Sequence, residues 1–319
     1  MYNMSTQTRS KRKDESEPEI PITIAMSSEV LFNMEKEQQS SRSMSHGPAF
    51  YFVKALQVVN AELKVHYPES QELFKVLLIN HHSSDSDRLN ETIKIQACCL
   101  FSSARKTCSE LEELITPLVM ERERLVSELK KNKTHLYLSA KPGFGVQEAL
   151  KEGIAAAIMG NPETIAKVSE TQLRIVFDGD AVLFSDESQR VFNERKLMGY
   201  LEHEKKNVDV PMNQGPFRGL LEVLERLQRK LHNKGLIKNC PIRTYLVTSR
   251  DAGCAGYRAL NTLHSWGLEI DEAVFLGGSP KGPVLEKIRP HIFFDDQDCH
   301  IKNVLKFGIV ACHVQYSSE

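Results

Sequence analysis

The sequence predicts an α/β fold on a parallel sheet, in two successive units of similar plan, with chemistry at the strand ends of the second. Three observations predict it. Short apolar runs of strand length alternate with amphipathic helical text through most of the chain, the pattern of strand–helix–strand crossovers. One buried strand, LRIVF, ends abruptly in two carboxylates, Asp178 and Asp180, split by Gly179. The order of strand and helix signals in the first half returns in the second.

Taken in order, residues 1–20 are polar, with KRK followed by the acidic DESEPE, and read as a disordered tail. ITIAMSSEVLF is strand-like, GPAFYFVKALQVVNAELKVHY has helical spacing from Gly47, and KVLLI is a second strand. Residues 80–133 are atypical, a charged and helix-prone stretch interrupted at Pro117. THLYLSA is then a strand, and VQEALKEGIAAAIM a helix running into an apolar segment. These elements make a first unit over residues 21–165.

The second unit, residues 166–319, starts with the acidic strand. A polar, helix-prone insert at about 185–214 reads as a small helical cap, and GPFRGLLEVLERLQRKLH as a helix. Strand TYLVTSR, a glycine-containing turn and helix YRALNTLHSWG follow. The chain closes with AVFLGG, SPKGPVLEKI, the strand HIFFDD, a helix and the strand IVACHV. Four apolar residues out of five in LRIVF, the last three consecutive, suit a strand in a sheet covered on both faces. An acid-loaded strand tip is where an open α/β sheet places its ligand crevice.

Composition narrows the function classes. The 319 residues carry a net charge of −1, which gives no global field for a nucleic acid polymer or an anionic membrane. Hydrophobic content of 41% and charged content of 26% are those of a globular protein. No apolar run reaches the length of a membrane span. Seven scattered cysteines without metal spacing fit reduced thiols in a cytoplasmic protein.

Laid side by side, Val30-Leu31-Phe32 matches Val182-Leu183-Phe184, Gly47-Pro48 matches Gly215-Pro216, and His135-Leu-Tyr-Leu matches His291-Ile-Phe-Phe. The first unit has lost the chemistry. Met26 and Ser28 stand where the second has Asp178 and Asp180, and Ser139 and Ala140 where it has Asp295 and Asp296.

Four stations of the second unit sit at strand ends: Asp178 and Asp180; Thr248 and Ser249; Lys281; Asp295 and Asp296. Together they make a phosphoryl-transfer kit. A carboxylate can take the phosphoryl group, a neighbouring acid can protonate the leaving oxygen, and a hydroxyl and a lysine can hold the transferring group. Acids crowded at one place call for a hard divalent cation such as Mg²⁺. Alone, Thr248 and Ser249 could be merely helix-capping residues.

FDGDAVLFSDE, the strand ending at Thr248, Lys281 and FFDD resemble motifs one to four of the haloacid-dehalogenase-like (HAD-like) phosphohydrolases. The longer strings CPIRTYLVTSR, SPKGPVLEKIRPHIFFDDQ, GPAFYFVKAL and EGIAAAI are similar to the cytosolic 5′-nucleotidase I family. That resemblance implies a Rossmann-like catalytic unit with a small cap and Mg²⁺-dependent hydrolysis of nucleoside 5′-monophosphates, AMP favoured. It implies Asp178 as nucleophile and metal ligand, and Asp180 as acid/base with its backbone carbonyl on the metal. Thr248, with Ser249, would bind phosphate, and Lys281 would stabilise the phosphoryl group. Asp295 or Asp296 would complete the metal site, and the residues leave open which. The resemblance also implies ADP activation and homo-oligomers.

The chain departs from the family after Ile79, where INHHSSDSD and the charged stretch to Lys133 replace a threonine-asparagine turn and a glycine-rich segment. Two other readings stand beside the nucleotidase: a phosphatase of another small phosphomonoester, and a regulatory member of the fold without turnover.

Overall fold

A computed structural model describes residues 19–33, 45–81, 91–93 and 114–317. Expectations for residues 1–18 and for most of 82–113 lie outside the described residues. Ten strands form one continuous sheet: β1 (Ile22–Ser27), β4 (Phe74–Asn80), β5 (Ile115–Val119), β6 (Thr134–Ser139), β7 (Ala155–Met159), β8 (Leu173–Phe177), β9 (Ile242–Thr248), β10 (Glu272–Phe275), β11 (Ile292–Asp295) and β12 (Ala311–His313). A separate small pair joins β2 (Phe32–Asn33) and β3 (Ser45–His46).

The sheet order is β10-β9-β8-β11-β12-β7-β6-β1-β4-β5. All neighbours run parallel except β12 and β7, which meet antiparallel through Cys312 and Met159. On each side of that seam the five strands follow one plan, with the first strand central, the second and third outward on one side and the fourth and fifth toward the seam. The local hydrogen bonds repeat as well. Gly47 N–H donates to Leu31 O and Gly215 N–H to Leu183 O, each at 2.8 Å. Thr23 N–H donates to Nδ1 of His135 at 3.2 Å, and Arg174 N–H to Nδ1 of His291 at 3.1 Å.

The sequence accounts for this locally. Every residue of ITIAMS is buried, so β1 is covered on both faces. Helix Phe50–His66 buries Phe52, Val53, Leu56, Val59 and Leu63, a stripe at three- and four-residue spacing. It lies against β8 of the other half, while helix Arg218–His232 lies against β6. This crossing makes one apolar layer common to both halves. On the opposite face the layer splits in two, Leu77, Leu125 and Val146 under the first half and Val176, Leu285 and Val304 under the second.

Two expectations need correction. The stretch read as helical and charged up to Lys133 contains an extended strand, β5, at the sheet edge. Pro117 breaks a helix but is tolerated on an edge strand, where its missing N–H removes no essential ladder bond. A helix does follow, at Leu125–Lys131. Glu19, read as part of the disordered tail, is ordered by Lys230, Ser70 and the Gln71 N–H. Among the described residues no helix is long and apolar enough to cross a membrane.

Asn60 links the shared layer to the sheet, donating to Phe74 O and accepting from Phe74 N–H, both at 2.8 Å in a buried setting. Replacing it by alanine strands both backbone groups, and Asn60→Ala is expected to cost about 2 kcal/mol in urea unfolding. A loss below about 0.5 kcal/mol would contradict this role.

Candidate active site

Strand β8 delivers Asp178 to the sheet's carboxyl edge, where its N–H donates to Phe294 O of β11 at 2.9 Å. The chain then makes a wide turn over Gly179–Leu183, closed by Phe184 N–H to Gly179 O at 2.9 Å. Ala181 takes a left-handed conformation there, with φ of 59°, a strained state for a residue with a side chain. Gly179 sits in close approach to its neighbours. A Cβ on it would stand 3.3 Å from the Phe184 ring and from Thr248 Oγ1.

Lys281 stands between two strand ends. Its ammonium lies 2.8 Å from Asp178 Oδ1 and 2.6 Å from Asp295 Oδ2, and it is almost wholly buried. Asp295 is filled further by Gln297 N–H on Oδ1 at 2.8 Å and by His300 Nδ1 at 3.0 Å from Oδ2. Burial opposes charge on Asp295, but Lys281 and His300 outweigh it and hold its carboxyl below the usual range. Burial likewise opposes charge on Lys281, and Asp178 and Asp295 outweigh that, keeping it protonated.

Asp178 and Asp296 are less well served. Burial pushes Asp178 up to about 6 against the pull of Lys281. Burial, then Asp178, Asp295 and Asp180, push Asp296 up to about 8. Both protein bonds to Asp178 fall on Oδ1, which leaves Oδ2 open. Oδ1 of Asp296 is buried with no hydrogen-bond partner.

Asp178, Asp295 and His300 bring possible ligand atoms within 4.8 Å of one another. The space between Asp178 and Asp295 is nevertheless taken by the Lys281 ammonium. The open oxygens belong instead to Asp178 and Asp296, and one lysine cannot balance the charge of Asp178, Asp295 and Asp296 together. The donor set suits a hard cation of charge two, all oxygen and undersupplied with positive charge.

The structure thus brings Asp178, Lys281 and Asp295 into contact, with Asp180 and Asp296 within electrostatic reach of Asp178. Buried Thr248 packs against the Asp178–Gly179 turn. Ser249 lies one residue on, its carbonyl accepting from Gly278 N–H at 3.0 Å in the loop before Lys281. The insert leaves and returns at a bridge between Phe184 and Gln214. Its helix Glu187–Lys206 is broken at Lys196, with φ of 57°. The break sets Phe192 edge-on to Tyr200 at 6.3 Å between ring centroids, and Tyr200 lies over the Arg250 guanidinium at 6.0 Å.

Sequence reasoning passed over Arg250, reading it only as the last residue of a strand segment. It is fully buried and grips Asp180 bidentately, Nε to Oδ2 at 2.9 Å and Nη2 to Oδ1 at 2.6 Å. A basic residue in the same strand-end turn as Thr248 was the available signal. His300, five residues beyond Asp295 in DDQDCH, was also passed over.

One pH prediction follows from Asp296. Its carboxyl binds a proton more tightly folded than unfolded, so this stabilisation is complete at low pH and is lost as pH rises toward 8. In EDTA, the wild type is expected to lose unfolding free energy between about pH 5 and about pH 8, and Asp296→Asn to lose clearly less. Equal slopes in denaturant titrations would contradict the assignment.

Comparisons with known proteins give the family. A family model described as 5′-nucleotidase matches residues 37–319. The chain is 42% identical over 319 residues to human "Cytosolic 5′-nucleotidase 1B", an alignment covering 93% of this chain and 49% of that protein. The chain therefore spans about half the length of that relative. With the family model covering most of its length, the chain belongs to the 5′-nucleotidase family.

Proposed function

We propose that the protein is a Mg²⁺-dependent 5′-nucleotidase that hydrolyses nucleoside 5′-monophosphates, AMP favoured, through an aspartyl-phosphate on Asp178. The observation that carries this reading is the buried Asp178–Lys281–Asp295 contact, with open oxygens left on Asp178 and Asp296. Residues 166–319 form the catalytic unit in this account, and residues 21–165 a degenerate one.

Asp178 is held by Gly179 N–H and Lys281 on one oxygen, so its other oxygen presents the attacking lone pair. Attack forms the Asp178–phosphorus bond and releases the nucleoside oxygen, to which Asp180 gives a proton. Asp180 then takes a proton from the water that cleaves the acyl phosphate. Lys281 and the Thr248 hydroxyl, with Ser249, hold the transferring oxygens. Asp178 and Asp296, with the Asp180 carbonyl, would hold the divalent cation, which supplies charge that offsets repulsion between the anionic nucleophile and the anionic phosphate. Asp295 is the fixed partner of Lys281 in this arrangement and not a metal ligand.

The name of the human relative supports a nucleotide as substrate, and the motif resemblance supports AMP. Phe192, 41% exposed on the insert beside Tyr200, offers an aromatic face for a base. ADP activation, self-association and a cytosolic location come with the same resemblance.

The test is phosphate release from a panel of 5′-nucleotides and sugar phosphates, with Mg²⁺ and with EDTA. AMP is expected to lead, EDTA to abolish release, and Asp178→Asn to lower it at least about 10³-fold. Turnover of sugar phosphates ahead of every nucleotide would contradict the substrate class, and an active Asp178→Asn the mechanism.

A further inference from the structure

Arg250 does not serve Asp180 alone. Its Nη1 donates to Glu204 Oε2 at 2.7 Å and to Ala255 O at 3.1 Å, and its Nη2 also donates to Ser188 Oγ at 2.8 Å. Ser188 in turn donates to Glu204 Oε1 at 2.6 Å. Arg258 approaches the same Glu204 oxygen at 3.2 Å and pairs with Glu187 at 2.6 Å. The charges alternate from Asp180 through Arg250, Glu204 and Arg258 to Glu187. Arg250, Glu204 and Arg258 are at most 2% exposed, whereas the Asp180 side chain keeps 16%.

These residues come from four places. Asp180 lies in the turn after β8, Arg250 in the turn after β9, Arg258 on helix Cys254–Ser265, and Glu187, Ser188 and Glu204 on the insert helix. The insert is therefore tied to the acid/base candidate by buried ion pairs.

We propose that Glu204 is a positioning residue for Asp180, acting through Arg250. This rests on the reading of Asp180 as the group that protonates the leaving oxygen. Both Asp180 oxygens are occupied by Arg250, so reaching a leaving oxygen requires one of those bonds to break. Breaking it next to a fully buried guanidinium is costly unless a second anion keeps that charge compensated. Glu204 is that second anion. Without its charge, Arg250 has Asp180 as its one carboxylate partner and withholds it from the substrate.

The distinguishing readout is dependence on the leaving group. A nucleoside alkoxide needs the proton, whereas a nitrophenolate leaves without it. With the Mg²⁺-loaded full chain, Glu204→Gln is expected to lower kcat/KM for a 5′-nucleotide about 10- to 100-fold, a share of what general acid catalysis supplies. Its kcat/KM for p-nitrophenyl phosphate is expected to change less than about 3-fold, because kcat/KM reports only the first chemical step. Glu204→Asp, which keeps the charge, is expected to stand closer to wild type on the nucleotide. Should Glu204→Gln not fold, Ser188→Ala, which removes the hydroxyl between Glu204 and Arg250, is expected to show the same selective loss at smaller size. Equal loss on both substrates, or none on the nucleotide, would overturn the positioning role while wild-type hydrolysis leaves the enzyme reading standing. A folded wild type that hydrolyses neither substrate would overturn both.

Discussion

Three carboxylates, Asp178, Asp295 and Asp296, gather at the ends of β8 and β11, the first two buried, and among the described residues the ammonium in contact with Asp178 and Asp295 is that of Lys281. Burying that much like charge is unfavourable by several kcal/mol per ion unless it is matched. The match is partial. Lys281 satisfies Asp295 completely with the help of His300 and Gln297, satisfies Asp178 on one oxygen, and does not bond Asp296. The strain shows as carboxyls pushed upward at Asp178 and Asp296. It is the same imbalance from which the proposed divalent cation, and a phosphate held by it, are argued.

The sheet explains how the site is both rigid and one-sided. Parallel strands β8, β9 and β11 bring their carboxyl ends to one edge, so residues distant in sequence meet there. The other half follows the same strand order, but its central strand closes with buried Met26 and Ser27, and the matching fourth strand ends in Ser139. The exposed Lys141–Glu29 ion pair near those ends is open to solvent and of little energetic weight. What this half supplies is packing, since helix Phe50–His66 covers β8 and thereby backs the strand that carries Asp178.

Much of this was legible in the sequence because strand tips announce themselves: an apolar run that stops at acid leaves few structural alternatives, as at FDGD and FFDD. The parallel sheet was legible for the same reason, through runs buried on both faces. β5 was not, because charge and Pro117 dominate its neighbourhood and an edge strand needs no apolar alternation. The Arg250–Glu204–Arg258 array was not legible either. Its members are 46 and 54 residues apart, and nothing local distinguishes a buried charged side chain from a solvated one until the partners meet. Asp295 and Asp296 were equivalent as text, and what separates them is their partners, Lys281, Gln297 and His300 on Asp295 against a buried, unpartnered oxygen on Asp296.

The central claim is that Asp178 is the atom-bearing nucleophile of a phosphohydrolase. The most direct measurement is acid quench of the enzyme during turnover of AMP with Mg²⁺, followed by peptide mass mapping. The account predicts a phosphoryl adduct on the peptide carrying Asp178, absent in Asp178→Asn. An adduct on another residue, or hydrolysis with none on Asp178 under conditions that trap acyl phosphates, would contradict it.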